Sequence, residues 1–170
     1  MRRFIIGLTA AGAMLGNSAM AAQECPNAND QAAFELTALK TTLMVVATTC
    51  GNREQYNSFI RRYQPTLQET DRSLSSYFKG RYGSRGQTEH DRYATDLANS
   101  QSRFGLAQGG DFCARNGALF TEVMALGSPS DLSSYAAAKD LIPASIGACP
   151  GLAPVGKATK VVTTTTQKKH

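Results

Sequence analysis

Tryptophan is absent from this 170-residue chain, and histidine occurs only twice, as His90 in the body and His170 at the end. That scarcity removes much chemistry at once. A metal site needs several convergent ligands, and a serine or cysteine nucleophile needs a base beside it. The Glu-x-x-His pair that marks di-iron bundles is missing, as are a C-x-x-C-H haem attachment and the closely spaced cysteines of a zinc site. No metal and no cofactor are expected. No alternation of period two exceeds four residues in the body, which excludes an extensive sheet. Beyond Leu15 no apolar run approaches the roughly 20 residues that span a bilayer.

What is present begins with Met1-Arg2-Arg3, an apolar run from Phe4 to Leu15, and the small residues Ser18-Ala19-Met20-Ala21-Ala22. This is the pattern of a secretory signal peptide, residues 1–21, with cleavage expected after Ala21 and after Ala22 as the alternative. The general secretory route is favoured over twin-arginine export, because no Ser or Thr precedes the paired arginines. Export implies a periplasmic or secreted protein with no membrane span after cleavage.

The charge balance then changes meaning. The chain carries 18 basic and 13 acidic residues. Removing Arg2 and Arg3 leaves 16 against 13, and setting aside Lys157, Lys160, Lys168 and Lys169 leaves 12 against 13. The basic character belongs to the segment 152–170, whose few large apolar residues mark it as a disordered tail dispensable for folding. A near-neutral body gives no support for nucleic-acid binding.

The organising element is the stretch Asp30 to Cys50. Ala32, Leu36, Leu39, Leu43, Val46 and Cys50 recur at helical spacing, and from Leu43 to Ala47 the apolar residues cover the whole circumference. The β-branched Thr41, Thr42, Val45, Val46, Thr48 and Thr49 favour a strand instead. Length and unbroken period decide for a central helix. Gly51-Asn52 turns the chain into a second helix with the stripe Tyr56, Ile60, Tyr63, Leu67, Thr70, Leu74 and Phe78. Pro65 predicts a kink or a break near Tyr63–Gln64. Three glycines and three cations between Lys79 and Gly86 predict a loop.

A third helix is expected from a Thr88 cap, with Tyr93, Leu97, Ser100, Phe104 and Ala107 inward, ending at Gly109-Gly110. Asp111 caps a fourth, which buries Phe112, Leu119, Phe120, Val123 and Leu126 before Gly127 stops it. Ser128-Pro129-Ser130-Asp131 is a capping box for a short fifth helix to about Lys139. The expected class is all-α, an up-down bundle of four main helices plus a short fifth, in one disulfide-linked domain over residues 22–151.

Four cysteines in an exported chain predict two disulfides. In an up-down bundle the first helix ends where the fourth begins, so Cys50 pairs with Cys113 and Cys25 with Cys149. The alternative joins Cys149 to Cys113 and Cys25 to Cys50, and requires a much shorter first helix. Each bond of the preferred set closes a long loop, worth about 4 kcal/mol in the chain-entropy picture.

Three candidate sites deserve weighing against blander roles. Lys79, Arg81 and Arg85, with Arg61, Arg62 and Arg72 on the preceding helix, form a candidate anion-binding set whose glycines would admit backbone N–H groups; the commoner outcome is a solvated basic loop. Tyr56, Phe59, Tyr63, Tyr77, Phe78, Tyr93, Phe104, Phe112 and Phe120 would line an apolar pocket or simply form the core. His90, between two acids in a first turn, reads as a surface residue in the capping region. Catalytic carboxylates assemble only in three dimensions, and the acids here fall mostly at helix starts and on polar faces, so no catalytic residue is assigned.

The spans ECPNANDQAAFELTALKTTL, TTCGNREQYNSFIRRYQPTL and GGDFCARNGALFTEV resemble a group of small exported helical proteins of Gram-negative bacteria. The resemblance covers about Cys25 to Pro150, implies these boundaries and cysteines, and carries no activity or functional residue with it. The leading expectation is a non-enzymatic protein binding a partner protein or envelope component. A small-molecule carrier with a pocket in the bundle is the alternative, and a hydrolase with assembled carboxylates comes third. An exposed apolar patch, an enclosed cavity and a cleft with two acids would respectively distinguish them. Non-reducing peptide mapping should recover Cys50–Cys113 and Cys25–Cys149 fragments; a Cys25–Cys50 fragment would refute both the pairing and the long central helix.

Overall fold

The computed structural model describes residues 26–143 and Ile146. The expected signal segment, the tail and the Cys25–Cys149 bond lie outside the described residues. Within them the chain is all-helical: α1 (Ala28–Cys50), α2 (Arg53–Tyr82), α3 (Gly86–Gln108), α4 (Asp111–Asn116), α5 (Ala118–Ala125) and α6 (Asp131–Lys139).

Helix α1 starts because the Asn27 side chain accepts from the N–H groups of Asn29 and Asp30, each at 3.0 Å, and donates to Asp30 Oδ2 at 2.7 Å. It stops at Gly51, whose φ of 78° is left-handed. The β-branched residues cost at most about 4 kcal/mol of helix propensity in sum. Burying Leu36, Leu39, Leu43 and Val46, each 2% exposed or less, returns roughly 1.5–3 kcal/mol apiece. Burial therefore wins over local preference. Neighbours enclose α1: α2, α3, α4 and α6 all pack on it.

Helix α2 runs unbroken through Pro65, and the expected break is absent. Pro65 and Arg61, whose carbonyl loses its helical donor, both lie on the exposed side where water can replace that bond. On the inner side Phe59, Tyr63, Leu67, Thr70, Leu74 and Phe78 are all buried. The Tyr63 hydroxyl donates to the Val123 carbonyl of α5 at 2.5 Å, anchoring the helix just before the proline.

The expected loop from Lys79 to Gly86 is also absent. Helix α2 continues to Tyr82, one 3-10 turn spans Gly83–Arg85, and α3 begins at Gly86 rather than at a Thr88 cap. Two of the three glycines explain this economy. Gly83 adopts φ 57°, and a Cβ on Gly86 would stand 2.6 Å from the Lys79 Cα, so the reversal is tight because the backbones touch. Phe34 meets Tyr77, Phe78 and Tyr93 with ring centroids 5.0–6.0 Å apart, joining the start of α1 to the end of α2 and the first half of α3.

The inner face of α3 is displaced from the expected one. His90, Leu97, Gln101 and Gly105 are buried, whereas Phe104 is 66% exposed and Ala107 is exposed. Gly105 is a contact position: a Cβ there would lie 3.0 Å from the Phe112 ring, so the ring packs on bare backbone. His90 is likewise inward, not a surface residue. Its ring stacks on Phe78 at 5.3 Å and its Nδ1 lies 3.3 Å from Ser75 Oγ.

The expected fourth helix is interrupted at Gly117. Asn116 Nδ2 donates to the Phe112 carbonyl at 2.8 Å, competing with the backbone ladder and closing α4. The Cys50–Cys113 disulfide forms as expected, with a Cα–Cα distance of 5.6 Å, and ties the end of α1 to α4. The Asp131 carboxylate accepts from the Ser128 N–H at 2.9 Å, the returning half of the capping box ahead of α6.

The α2–α3 reversal generates a paired prediction. Gly86→Ala should destabilise the fold by about 1–3 kcal/mol or more, because the clash is with backbone. Gly80→Ala, with open space around it, should stabilise by about 0.5–1 kcal/mol. Denaturant melts of both variants check this; equal effects would remove the close-approach argument.

Candidate functional site

The basic residues do not converge. Arg62 and Lys79 are separated along one continuous helix by about 26 Å at 1.5 Å per residue. Arg62 Nη2 donates to the Leu126 carbonyl at 2.6 Å, and its guanidinium lies 5.5 Å from the Tyr63 ring centroid. Arg61 bonds Ser58 Oγ at 3.0 Å, and Arg72 pairs with Glu69 at 2.7 Å. At the other end Arg81 hydrogen-bonds Tyr77, whose phenol burial pushes to a higher pKa. Lys79 and Arg85 are exposed. The six cations thus fall into separate groups, several with local partners.

The aromatic set also divides. Phe59, Tyr63, Phe112 and Phe120 belong to one core cluster and Phe78 to a second, with Tyr56, Tyr77 and Tyr93 packed against them. Only Phe104 and Phe112 of that set line a cavity of about 240 Å³ between α1, α3, α4 and the segment Asp140–Pro143. Its walls are largely apolar, from Val45, Phe104, Phe112, Leu141, Ile142 and Pro143.

Two polar residues at this wall were not singled out by the sequence. Thr42 and Gln101 are 8% and 7% exposed, and Thr42 Oγ1 and Gln101 Oε1 are buried without a hydrogen-bond partner among the described residues. Gln101 Nε2 is committed, donating to the Ala38 carbonyl at 3.0 Å and the Leu141 carbonyl at 3.3 Å. The same amide therefore holds the wall segment to α1 and α3. A polar residue on the inner face of α3 was the available signal, hidden by the displaced stripe.

The wall segment follows α6, which is clasped to α5. Lys139 Nζ lies 2.5 Å from Glu122 Oε2, and the Tyr135 hydroxyl donates to the same oxygen at 2.6 Å. The Lys139 and Tyr135 hydrogen bonds hold the Glu122 carboxyl below the usual carboxylate range, while burial and then Glu122 push the Tyr135 phenol upward. Asp140, immediately beyond, takes a left-handed φ of 48° that turns the chain into the wall. Among the described residues no cluster of three or more His, Cys, Asp or Glu side chains could hold a metal, and no helix is long and apolar enough to cross a membrane.

No known protein family, curated protein or solved structure matches this chain. Its residues alone bear on its role.

The clasp predicts a pH signature. A carboxyl with a depressed folded-state pKa adds stability that is present above its ordinary value near 4.5 and lost as pH falls through the folded value. Glu122→Gln should therefore lower the melting temperature slightly at pH 7, the effect being small because the pair is partly exposed, and flatten the acid limb between pH 5 and 3 so that the two proteins converge as pH falls. Superimposable acid limbs would show that the clasp does not contribute.

Proposed function

We propose that this chain is a non-enzymatic, exported helical protein that binds a small apolar molecule in the cavity between α1, α3 and α4. The supporting observation is the cavity itself, apolar in its walls yet bordered by two buried polar atoms without partners. Of the polar residues at its wall, Thr42, Ser100, Gln101 and Asn116 are neutral and suited to recognition by hydrogen bonding, and Asp140 is an acid. At about 240 Å³ the space is smaller than the roughly 300–1,000 Å³ of drug-sized sites, so the occupant is about one ring in size.

Export into a periplasmic or extracellular space is the reading that the signal pattern and a disulfide in the body favour. Two disulfides in an up-down bundle, and kinship with small exported helical proteins of Gram-negative bacteria, belong to the same proposal. The Cys50–Cys113 bond supports the disulfide part of it.

A partner-binding reading has its own observation. Phe104 and Leu106 are 66% and 80% exposed, on either side of the buried Gly105. Arg103 is the sole charge between Ser100 and Gly110, so this surface suits a protein face better than an anionic envelope component, which would call for clustered cations.

Melting temperatures with ethylbenzene, 4-ethylanisole or 4-ethylphenol separate the readings, since a ligand that binds only the folded state raises the midpoint. At least one should stabilise wild type, and Ser100→Phe, which fills the cavity, should abolish the shift. No shift with any of them would end the carrier reading. A shift that survives Ser100→Phe but is lost in Phe104→Ser/Leu106→Ser would move binding to the exposed surface.

A further inference from the structure

The cavity's polar atoms narrow what it can hold. The Gln101 amide cannot be reversed without setting its oxygen against the two carbonyls that its nitrogen now serves. Its Oε1 is therefore an acceptor, buried and without a donor. Thr42 lies one helical turn beyond Ala38, whose carbonyl a helical threonine hydroxyl would ordinarily seek. That carbonyl already accepts from Gln101. The Thr42 hydroxyl has no hydrogen-bond partner among the described residues.

Water answers this arrangement poorly. At roughly 30 Å³ each, about eight waters would fill the space, each seeking about three hydrogen bonds. The walls are mostly apolar and offer few partners. An anion fits no better, because among the described residues no Lys or Arg lines the cavity while Asp140 does. An ammonium group would carry a large desolvation cost in such surroundings. A neutral hydroxyl meets both needs, since it can donate to one oxygen and accept from the other.

We infer that the cavity binds a small neutral molecule with an apolar body and one hydroxyl, an alcohol or a phenol, whose O–H donates to Gln101 Oε1 and accepts from the Thr42 hydroxyl. The inference rests on the carrier reading and adds the ligand's polar chemistry to it. Both oxygens are closed to water in the described conformation, so admission requires the wall to yield. The wall that yields is Leu141–Pro143, held to α3 through the long 3.3 Å bond from Gln101 to the Leu141 carbonyl. A ligand hydroxyl would then satisfy at its own site the two groups that remain unsatisfied when the wall is shut.

Calorimetric titration of wild type with 4-ethylphenol, 4-ethylanisole and 4-ethylbenzoate tests this with ligands of similar body and different heads. The phenol should bind about tenfold or more tightly than the ether, which cannot donate, and the carboxylate should not bind measurably. Thr42→Val keeps the shape and removes the hydroxyl. It should raise the melting temperature of the unliganded protein and shrink the preference for phenol over ether to about threefold or less. Equal affinity for phenol and ether would overturn the hydroxyl assignment while leaving the cavity as an apolar site. Tightest binding of the carboxylate would overturn the charge argument. No binding by any of the three would overturn the hydroxyl assignment, and failure of ethylbenzene as well would defeat the carrier reading. The wild-type comparison needs no variant, so it decides the inference even if Thr42→Val fails to fold.

Discussion

Burial of α1 is the constraint on which the rest of this structure depends. A helix apolar around most of its circumference must be covered on most sides. Helices α2, α3, α4 and α6 all pack on it, and Met44, Thr48 and Thr49 are left exposed. The need explains why short segments such as α4 and α6 hold helical form at lengths that would be marginal alone. Each is stabilised by what it covers: Phe112 from α4, and Leu132 and Ala136 from α6, are all buried in the same cluster as Leu39 and Val46.

Enclosure is less perfect along the second half of α1, where threonines are mixed with the aliphatic residues. Thr37, Thr41 and Thr42 are buried polar positions in an otherwise apolar helix. The cavity opens beside Thr42 and Val45. The Cys50–Cys113 bond fixes the end of α1 to α4 just beyond it, and the Glu122–Lys139–Tyr135 clasp places the segment that forms the opposite wall. Covalent and ionic ties thus flank a gap that side-chain packing alone does not close. Stability sacrificed at orphaned polar atoms is a common mark of a site held ready for something else.

Glycine accounts for most of the differences between expectation and structure. The cluster at Gly80, Gly83 and Gly86 suggested a loose loop, yet two of these residues allow a reversal too tight for any side chain. Gly105 interrupts the apolar stripe of α3, so spacing alone points to Phe104 as inward where the structure buries Gly105. The Phe112 ring fills the place that a side chain at Gly105 would have taken. Such contacts leave no trace in periodicity, because hydrophobic spacing records side chains and these interfaces are made by their absence. The same displacement conceals Gln101 at the cavity, and His90, which its acidic neighbours and first-turn position place at the surface, is buried.

The sequence by itself determined the helical class, the central place of α1, the stripe of α2 and the pairing of Cys50 with Cys113. Each follows from local periodicity or from the order of elements along the chain, which need no knowledge of neighbours. Only the tertiary structure decided that Pro65 leaves α2 unbroken, that the six cations stand apart, and that Gln101 of α3 donates to the Ala38 carbonyl of α1. Those facts depend on which atoms come together in space. Thr42 and Gln101 come to line one cavity only when α3 is laid against α1.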